Sequence, residues 1–376
     1  MRICYVSSVL NIHDYRFLSA LTQRNHDVYL VSYVANRQVS PIPEFIRDIK
    51  GLTVISRGMA LAAGHGLLFP VVVWDFRRLL KRLKPDILHT GWVTRDGFLG
   101  ALSGFHPVLL MPYGSDILIE PYKSLLRRLI VKYAINKADM ITCDCETVKN
   151  AIIEMTGFAQ NKMVLFPWGI ELEKFYPDRA KSIRVREKLA WANNKILIMN
   201  RSFESVYGVH YFIEALPEIV SEEPTTRVVL IGSGPLDQQL RALVAEMKLN
   251  KVVTFVGRVP SDEMPEYLNA ADVYVSTSLS DGTSSSLLEA MACALPVVVT
   301  EIPANKEWVI NGCNGLFVSP KSPADVSRQV LTLLRASSLR HEMGKNNLAV
   351  ARSKADWNKN VDKLEEMYRL LVSAAT

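Results

Sequence analysis

Short runs of consecutive apolar residues recur through the first half of the chain, at residues 2–7, 27–34, 52–55, 86–89, 108–111 and 140–143. Between them the apolar positions spread to every third or fourth residue, the period of a helix with one buried face. The clearest of these stretches cover residues 67–84 and 122–138, and an earlier one runs from about 14 to 25. Continuous apolar strands alternating with helices predict a parallel sheet covered on both faces, because each crossover helix buries one side of it. The alternation pauses at Phe166-Pro167-Trp168-Gly169 and a polar stretch over 171–184. It resumes with strands expected at 195–200, 227–231, 252–256, 272–276, 296–300 and 315–318, and a helix at 209–220. Helical patterns at 323–336, 338–351 and 357–372 close the chain. The pattern predicts an α/β protein of two tandem doubly wound sheets. In such sheets ligands bind beyond the carboxyl ends of the strands, where strand order reverses. Two facing edges across one cleft would suit two substrates.

Composition supports this and narrows it. At 376 residues the chain exceeds the roughly 250–300 at which single cores stop growing. With 49% hydrophobic and 22% charged residues it is globular rather than disordered. No apolar run approaches the roughly 18–20 residues of a membrane span. The first ten residues lack the length and cleavage site of an export signal and read as a strand, so a cytoplasmic protein is expected. Five cysteines, Cys4, Cys143, Cys145, Cys293 and Cys313, form no CxxC pair and are expected as reduced thiols. Cys143-Asp144-Cys145-Glu146 alternates faces along a strand, so no metal is expected there.

Charge is unevenly shared. Residues 1–170 hold 20 Lys and Arg against 13 Asp and Glu, a net of +7; the remainder holds 24 against 25. The basic half suits an anionic partner, or merely a soluble surface. No nucleic-acid motif or basic–aromatic interleaving occurs, so nucleic acid is not expected as the partner. Lys123 to Lys137 places Leu125, Leu126, Leu129, Ile130, Tyr133 and Ala134 on one side of a helix, with Arg127, Arg128 and Lys132 on another. That pattern fits a peripheral attachment to the inner, anionic face of a membrane, or a grip on a lipid-linked acceptor. It fits equally a crossover helix whose stripe covers the sheet.

The sharpest chemical signal is residues 280–295, SDGTSSSLLEAMACAL, between two expected strands. A helix entered through Gly and Ser exposes unpaired N–H groups with the positive dipole end behind them, a site for a diphosphate. Asp281 stands before this helix. Glu289, more than a turn inside, can accept from a pair of sugar hydroxyls.

Asp281 and Glu289 separated by seven residues, followed by Ala290-Met291-Ala292 and Leu295-Pro296-Val297-Val298, resemble the acidic-x7-Glu signature of retaining family-4 glycosyltransferases. VLIGSGP (229–235), FVGRV (255–259), ADVYV (271–275) and NGLFVSP (314–320) follow that family's order, as do PDILH (85–89), Gly114-Ser115-Asp116 and PWGIELEKF (167–175). The resemblance spans nearly the whole chain. It implies the GT-B fold: two Rossmann-like domains, an acceptor-binding one over 1–168 and a donor-binding one over 169–355, with a final helix over about 356–376 returning to the first. By the same resemblance Glu289 would bind ribose, and Asp281 with Gly282, Thr283 and Ser284 would hold the transferred sugar. Main-chain groups near Leu287 and Leu288 would face the diphosphate, Arg201 would neutralise it, and Arg258 and Val259 would frame the base. The implied co-substrate is a nucleoside-diphosphate sugar and the acceptor a glycan, a lipid-linked sugar or a small molecule, with no cofactor or obligatory metal.

Several positions depart from the family. Asp281 replaces its usual Glu, Tyr207 its diphosphate-binding Lys, and Tyr113, before Gly114, its His. Leu10-Asn11-Ile12-His13-Asp14 replaces the Gly-rich turn after the first strand. Asn11, His13, Tyr113 and Gly114 are therefore the expected acceptor-side residues. His13 and His89 stand at strand ends, either packed or poised to polarise a phosphate or hydroxyl. Asp116 either contacts a substrate or caps a helix. A GT-B-type sugar-nucleotide epimerase and a non-catalytic nucleotide-sugar-binding subunit are the alternative functions.

Overall fold

The computed structural model describes residues 1–33, 42–57 and 69–375. The chain divides into two units, residues 1–166 with 359–376, and residues 167–358.

In the first unit the strands are β1 (Arg2–Val6), β2 (Asp27–Tyr33), β3 (Leu52–Arg57), β4 (Ile87–Thr90), β5 (Val108–Leu110), β6 (Met140–Cys143) and β7 (Met163–Leu165). Between them run α1 (Ile12–Gln23), α2 (Glu44–Arg47), α3 (Phe69–Leu83), α4 (Phe98–Ser103), α5 (Ser115–Leu118), α6 (Leu125–Asn136) and α7 (Glu146–Thr156). All pairings are parallel, in the order β3-β2-β1-β4-β5-β6-β7. The order reverses between β1 and β4. Right-handed crossovers then place α1 and α2 on one face and α3, α4, α6 and α7 on the other. Contacts of α3 with α4, α4 with α6, and α6 with α7 agree.

The second unit contains α8 (Arg179–Lys188), β8 (Lys195–Asn200), α9 (Val209–Glu222), β9 (Thr226–Ile231), α10 (Asp237–Glu246), β10 (Val253–Gly257) and α11 (Met264–Ala270). It continues with β11 (Val273–Ser276), α12 (Ser285–Ala292), β12 (Val297–Thr300), α13 (Pro303–Lys306), β13 (Gly315–Val318), α14 (Pro323–Arg335) and α15 (Ser337–Lys354). Strand order is β10-β9-β8-β11-β12-β13, reversing between β8 and β11. Neighbouring residues of one strand feed opposite cores. Leu197, Met199, Val228, Leu230, Val273 and Val275 pack with α9 and α14. Ile196, Ile198, Val229, Ile231 and Tyr274 pack with α11 and α12. This two-sided burial is why the strands read as unbroken apolar runs.

The last helix, α16 (Trp357–Ala375), lies within the first unit from Lys359 onward. Arg24 pairs with Asp362 at 2.6 Å and His26 with Glu365 at 2.7 Å, while Val361, Leu364 and Tyr368 are buried.

Two elements escape the apolar pattern. β7 has three residues and only Met163 is buried, too little to register as a run. α8 lies within the stretch expected to be polar coil. Its sequence RAKSIRVREK buries Val185 alone, so it carries no stripe, and Asp178 caps it through the amides of Ala180 and Lys181. Residues 34, 67 and 68, expected in an adjoining strand and helix, lie outside the described residues. Cys4, Cys143, Cys145 and Cys293 are buried, Cys313 is exposed, and all five are free thiols.

α15 is seated on the turn after α12 by close backbone approach. Asn347 Nδ2 donates to the carbonyls of Leu295 and Asn314, both at 2.7 Å. A Cβ on Gly344 would come 2.1 Å from the Ala294 carbonyl oxygen. Gly344→Ala should therefore destabilise the second unit by about 1–3 kcal/mol, as overpacking does. The check is a lower denaturant midpoint at unchanged slope, and an unchanged midpoint would show that α15 shifts freely.

Candidate active site

The reversal of strand order in the second unit brings two loops together. Arg201 follows β8 directly, while Asp281 and Ser284 lie in the loop between β11 and α12. Arg201 Nη2 donates to Asp281 Oδ2 at 2.6 Å, and Nη1 donates to the hydroxyls of Ser284 at 2.7 Å and Ser286 at 3.0 Å. The side chains of Arg201 and Asp281 are only 8% and 15% exposed. Burial raises the Asp281 carboxyl and Arg201 opposes that shift. Burial also works against the guanidinium charge, but Asp281 and its neighbours outweigh it and hold Arg201 charged. Removing one member of such a buried pair costs about 3–5 kcal/mol, because the other is left uncompensated. Arg201 Nε remains a buried donor with no partner among the described residues.

Tyr207 closes this arrangement. Its ring lies 4.0 Å from the Arg201 guanidinium carbon, a cation–π contact where the family pattern has a second cation. The turn carrying Tyr207 is held against the loop after β11. Thr277 Oγ1 donates to the Gly208 carbonyl at 2.8 Å, and a Cβ on Gly208, whose φ is +58°, would come 2.4 Å from the Thr277 carbonyl. Gly232 and Gly234 bring the turn after β9 onto the Arg201–Phe203 backbone. Cβ atoms there would meet the carbonyl oxygens of Arg201 at 2.1 Å and Phe203 at 2.5 Å. Arg258, exposed, donates through Nε to Ser233 Oγ of this same turn at 2.7 Å, and Val259 packs against the core beside it.

Glu289, half-buried on α12, accepts from Asn200 Nδ2 at 3.1 Å. Asn200 Oδ1 is a buried acceptor without a partner among the described residues. The two together present acceptors suited to ligand hydroxyls or N–H groups. Asn200, Ser286 and Tyr274 were not among the expected site residues. Tyr274 donates to Ser286 Oγ at 3.0 Å and so reaches Arg201 through it. The one sequence signal for Asn200 was its polarity at the end of an apolar strand, next to Arg201.

The expectation for Leu287 and Leu288 is corrected. The Leu287 amide donates to Ser284 Oγ at 3.3 Å and the Leu288 amide to the Ser284 carbonyl at 3.1 Å. Ser284 is the N-cap of α12 and uses both groups, while the two side chains are buried. Gly282, Thr283 and Ser284 lie ahead of these capped turns.

The first unit uses its sheet edge differently. Asn11 caps α1, accepting from the amides of His13 at 2.9 Å and Asp14 at 3.2 Å. Asp14, fully buried, accepts from the phenols of Tyr113 at 2.8 Å and Tyr5 at 3.0 Å. Tyr113 and Asn11 are thus joined through Asp14. Gly114, at φ +93°, opens α5. Burial and nearby Arg16 hold the His13 pKa down to about 3.

Of the two alternatives for His89 the packed one holds: rather than poised at an open strand end it is fully buried, with its ring 4.5 Å from that of Tyr5 and Nδ1 hydrogen-bonded to the Tyr368 hydroxyl of α16. Burial lowers its pKa to about 3, so it is neutral and internal. Asp116 neither reaches a surface nor caps the helix after Pro121. Its oxygens accept from the amides of Val93 and Tyr113, both at 2.9 Å, tying the loops after β4 and β5 together. Asp96 does the same for the loop after β1, accepting from the Ser8 amide at 3.1 Å and hydroxyl at 3.2 Å. Burial raises both carboxyls to about 7.

Two doubly wound parallel sheets, the second carrying an acid–arginine pair and a helix-borne glutamate at its switch point, make the GT-B fold. Comparison with known proteins agrees. Residues 2–145 match the family model Glycosyl transferase 4-like and residues 182–350 match Glycosyl transferases group 1. A glycosyltransferase of Methanocaldococcus jannaschii is 27% identical over 289 residues, 76% of each chain. The alpha-monoglucosyldiacylglycerol synthase of Acholeplasma laidlawii is 24% identical over 333 residues, 83% of this chain and 80% of that one. Anabaena Alr3699/HepE, solved with UDP and glucose, superimposes at a TM-score of 0.83 with 17% identity, covering 99% of this chain and all of that one.

The buried carboxyls predict a pH effect. Asp96 ionises near 3.8 when unfolded and near 7 when folded, so its burial costs nothing below about pH 4. As pH rises from about 4 to 7 the unfolded chain, already ionised, is progressively favoured, and above 7, with both states ionised, the loss levels off. Asp96→Asn should flatten the loss of stability between pH 5 and pH 8 by about 1–3 kcal/mol. Denaturant melts of both proteins at the two pH values check this, and parallel losses would refute it.

Proposed function

We propose that the protein transfers a glycosyl group from a nucleoside-diphosphate sugar to a hydroxyl of a glycan, lipid-linked or small-molecule acceptor, with retention of anomeric configuration. The second unit holds the donor and the first selects the acceptor. The observation that carries this reading is the buried Arg201, fixed by Asp281, Ser284, Ser286 and Tyr207, with Nε left without a partner among the described residues. A preorganised cation acts most strongly on charge that develops during reaction, because no reorganisation is needed when it appears.

In the proposed step the bond from the sugar's anomeric carbon to the diphosphate breaks, and a bond from that carbon to the acceptor oxygen forms on the same face. The acceptor proton passes to an oxygen of the leaving phosphate. Arg201 neutralises the departing diphosphate, with Arg258 as a second cation. Asp281, through the carboxylate oxygen not engaged by Arg201, orients the sugar beside Gly282 and Thr283. Glu289 and Asn200 take the ribose hydroxyls and base edge. Support comes from the site geometry, the matches to both family models and the resemblance of Asp281 and Glu289 to the acidic-x7-Glu signature. The mechanism asks only for positioning and charge stabilisation from the protein.

Incubating the protein with UDP-, GDP- and ADP-sugars should release one nucleoside diphosphate, and that donor should raise the thermal midpoint. If no donor binds or is turned over, the transferase reading fails. Release of a rearranged sugar would assign an epimerase instead.

Two substitutions divide the donor contacts. Glu289→Ala should raise the donor KM about ten-fold or more while kcat falls less, as expected when a contact made equally in ground and transition states is lost. Unchanged donor kinetics would misplace the ribose contact. Arg201→Lys keeps the charge beside Asp281 but loses the planar fork, so kcat should fall about ten- to a hundred-fold with little change in donor KM. A change confined to KM would move Arg201 from the leaving group to simple binding.

A further inference from the structure

α6 does not use its leucines to cover the sheet. Ile130, Val131, Ala134 and Ile135 face inward, whereas Leu125, Leu126 and Leu129 are 74%, 53% and 55% exposed. Tyr122 and Tyr133 are exposed as well. At about 100° per residue, Leu125, Leu129, Tyr133 and Leu126 occupy an arc of about 100° on the helix. Arg128 and Lys132 border that arc on one side and Lys137 on the other. Residues 120–137 contain five Lys and Arg against the single acid Glu120. Glu120 pairs with Lys123 at 2.5 Å and with Arg127, leaving the segment strongly basic.

A hollow of about 330 Å³ opens at the start of α6, walled by Trp92, Arg95, Glu120, Lys123 and Arg127. The Arg95 guanidinium lies 5.4 Å from the Trp92 ring. The helical layer on this side of the sheet also exposes Val71 and Trp74 of α3, with Arg78 beside the latter at 5.6 Å. Among the described residues no helix is long and apolar enough to cross a membrane.

We propose that α6 is an interfacial helix that docks the first unit on an anionic phospholipid bilayer. Its leucines enter the boundary between headgroups and acyl chains while Arg128, Lys132 and Lys137 extend to lipid phosphates. The hollow at the N-terminal end receives a headgroup phosphate between Arg95, Lys123 and Arg127. Twelve residues of helix lying flat span about 18 Å, enough to set the unit's orientation on the surface. Charge selects this occupant over a second copy of the chain. Two copies meeting on this face would oppose their own basic borders, whereas acidic headgroups complement them.

The test is sedimentation of the full chain with vesicles of phosphatidylcholine alone, or with about one-third phosphatidylglycerol. Binding to the anionic vesicles should be at least ten-fold stronger, and should weaken as salt rises. The triple variant Leu125→Gln, Leu126→Gln, Leu129→Gln should lose at least ten-fold in partitioning at an unchanged thermal midpoint. Arg128→Glu with Lys132→Glu should lose the preference for anionic vesicles. The proposal is overturned if wild type ignores vesicles, if neutral and anionic vesicles bind alike, or if the leucine variant partitions as wild type does. It is equally overturned if wild type forms a concentration-dependent dimer that the leucine changes abolish, which would make a second copy the occupant.

Discussion

The candidate site rests on a cation and a carboxylate buried together although 80 positions separate them along the chain. Neither Arg201 nor Asp281 would be tolerated alone in that position, since an isolated buried charge is far costlier than a paired one. Two serines, a tyrosine ring and the glycine turns after β8 and β9 fix where the pair can sit. The constraint is reciprocal. The loops approach closely because Gly208, Gly232 and Gly234 carry no side chain, and that approach leaves the guanidinium nowhere to turn. Among the described residues Arg201 Nε and Asn200 Oδ1 stay buried without a partner, beside Asp281 and Glu289. A charged group held this way acts on a ligand without first having to be ordered.

The two units share a topology and use it differently. The second places charge at its switch point. The first places buried carboxylates there, Asp14, Asp96 and Asp116, whose oxygens join the loops after successive strands through amides and phenols. Burial raises all three carboxyls, Asp96 and Asp116 to about 7, which favours their neutral form and lessens the need for a counter-cation. These bonds tie the loop edge together, whereas the exposed leucines and basic residues of the unit lie elsewhere, along α6. Attachment through that helix and chemistry in the second unit would then be separate functions of one chain.

Tyr207 shows how a departure from a family pattern can keep the local electrostatics workable. A lysine there would add a second positive charge beside Arg201. The tyrosine instead lays an electron-rich ring against the guanidinium, holding its plane without adding charge. In the proposed reaction, leaving-group stabilisation would then depend more heavily on Arg201, with Arg258 on the adjoining turn as the other basic residue expected there.

Much was legible in the sequence because parallel strands buried on both faces leave an unmistakable mark: twelve apolar runs matched strands, and the two-sheet architecture followed from their alternation. Asp281, Ser284 and Glu289 were legible because one short segment carries them in a spacing that a helix start explains. Arg201 could be placed at a strand end, but its pairing could not be foreseen, since a contact across 80 positions leaves no local trace. His89 and Asp116 stayed undecided for a related reason. Polarity at a strand end is the same letter whether the side chain meets solvent or a helix from the far end of the chain, and only packing against Tyr5 and Tyr368 decides it. The leucines of α6 show the converse: periodicity marks an apolar stripe, but which of two neighbouring stripes covers the sheet depends on the helix's rotation, which tertiary contacts alone impose.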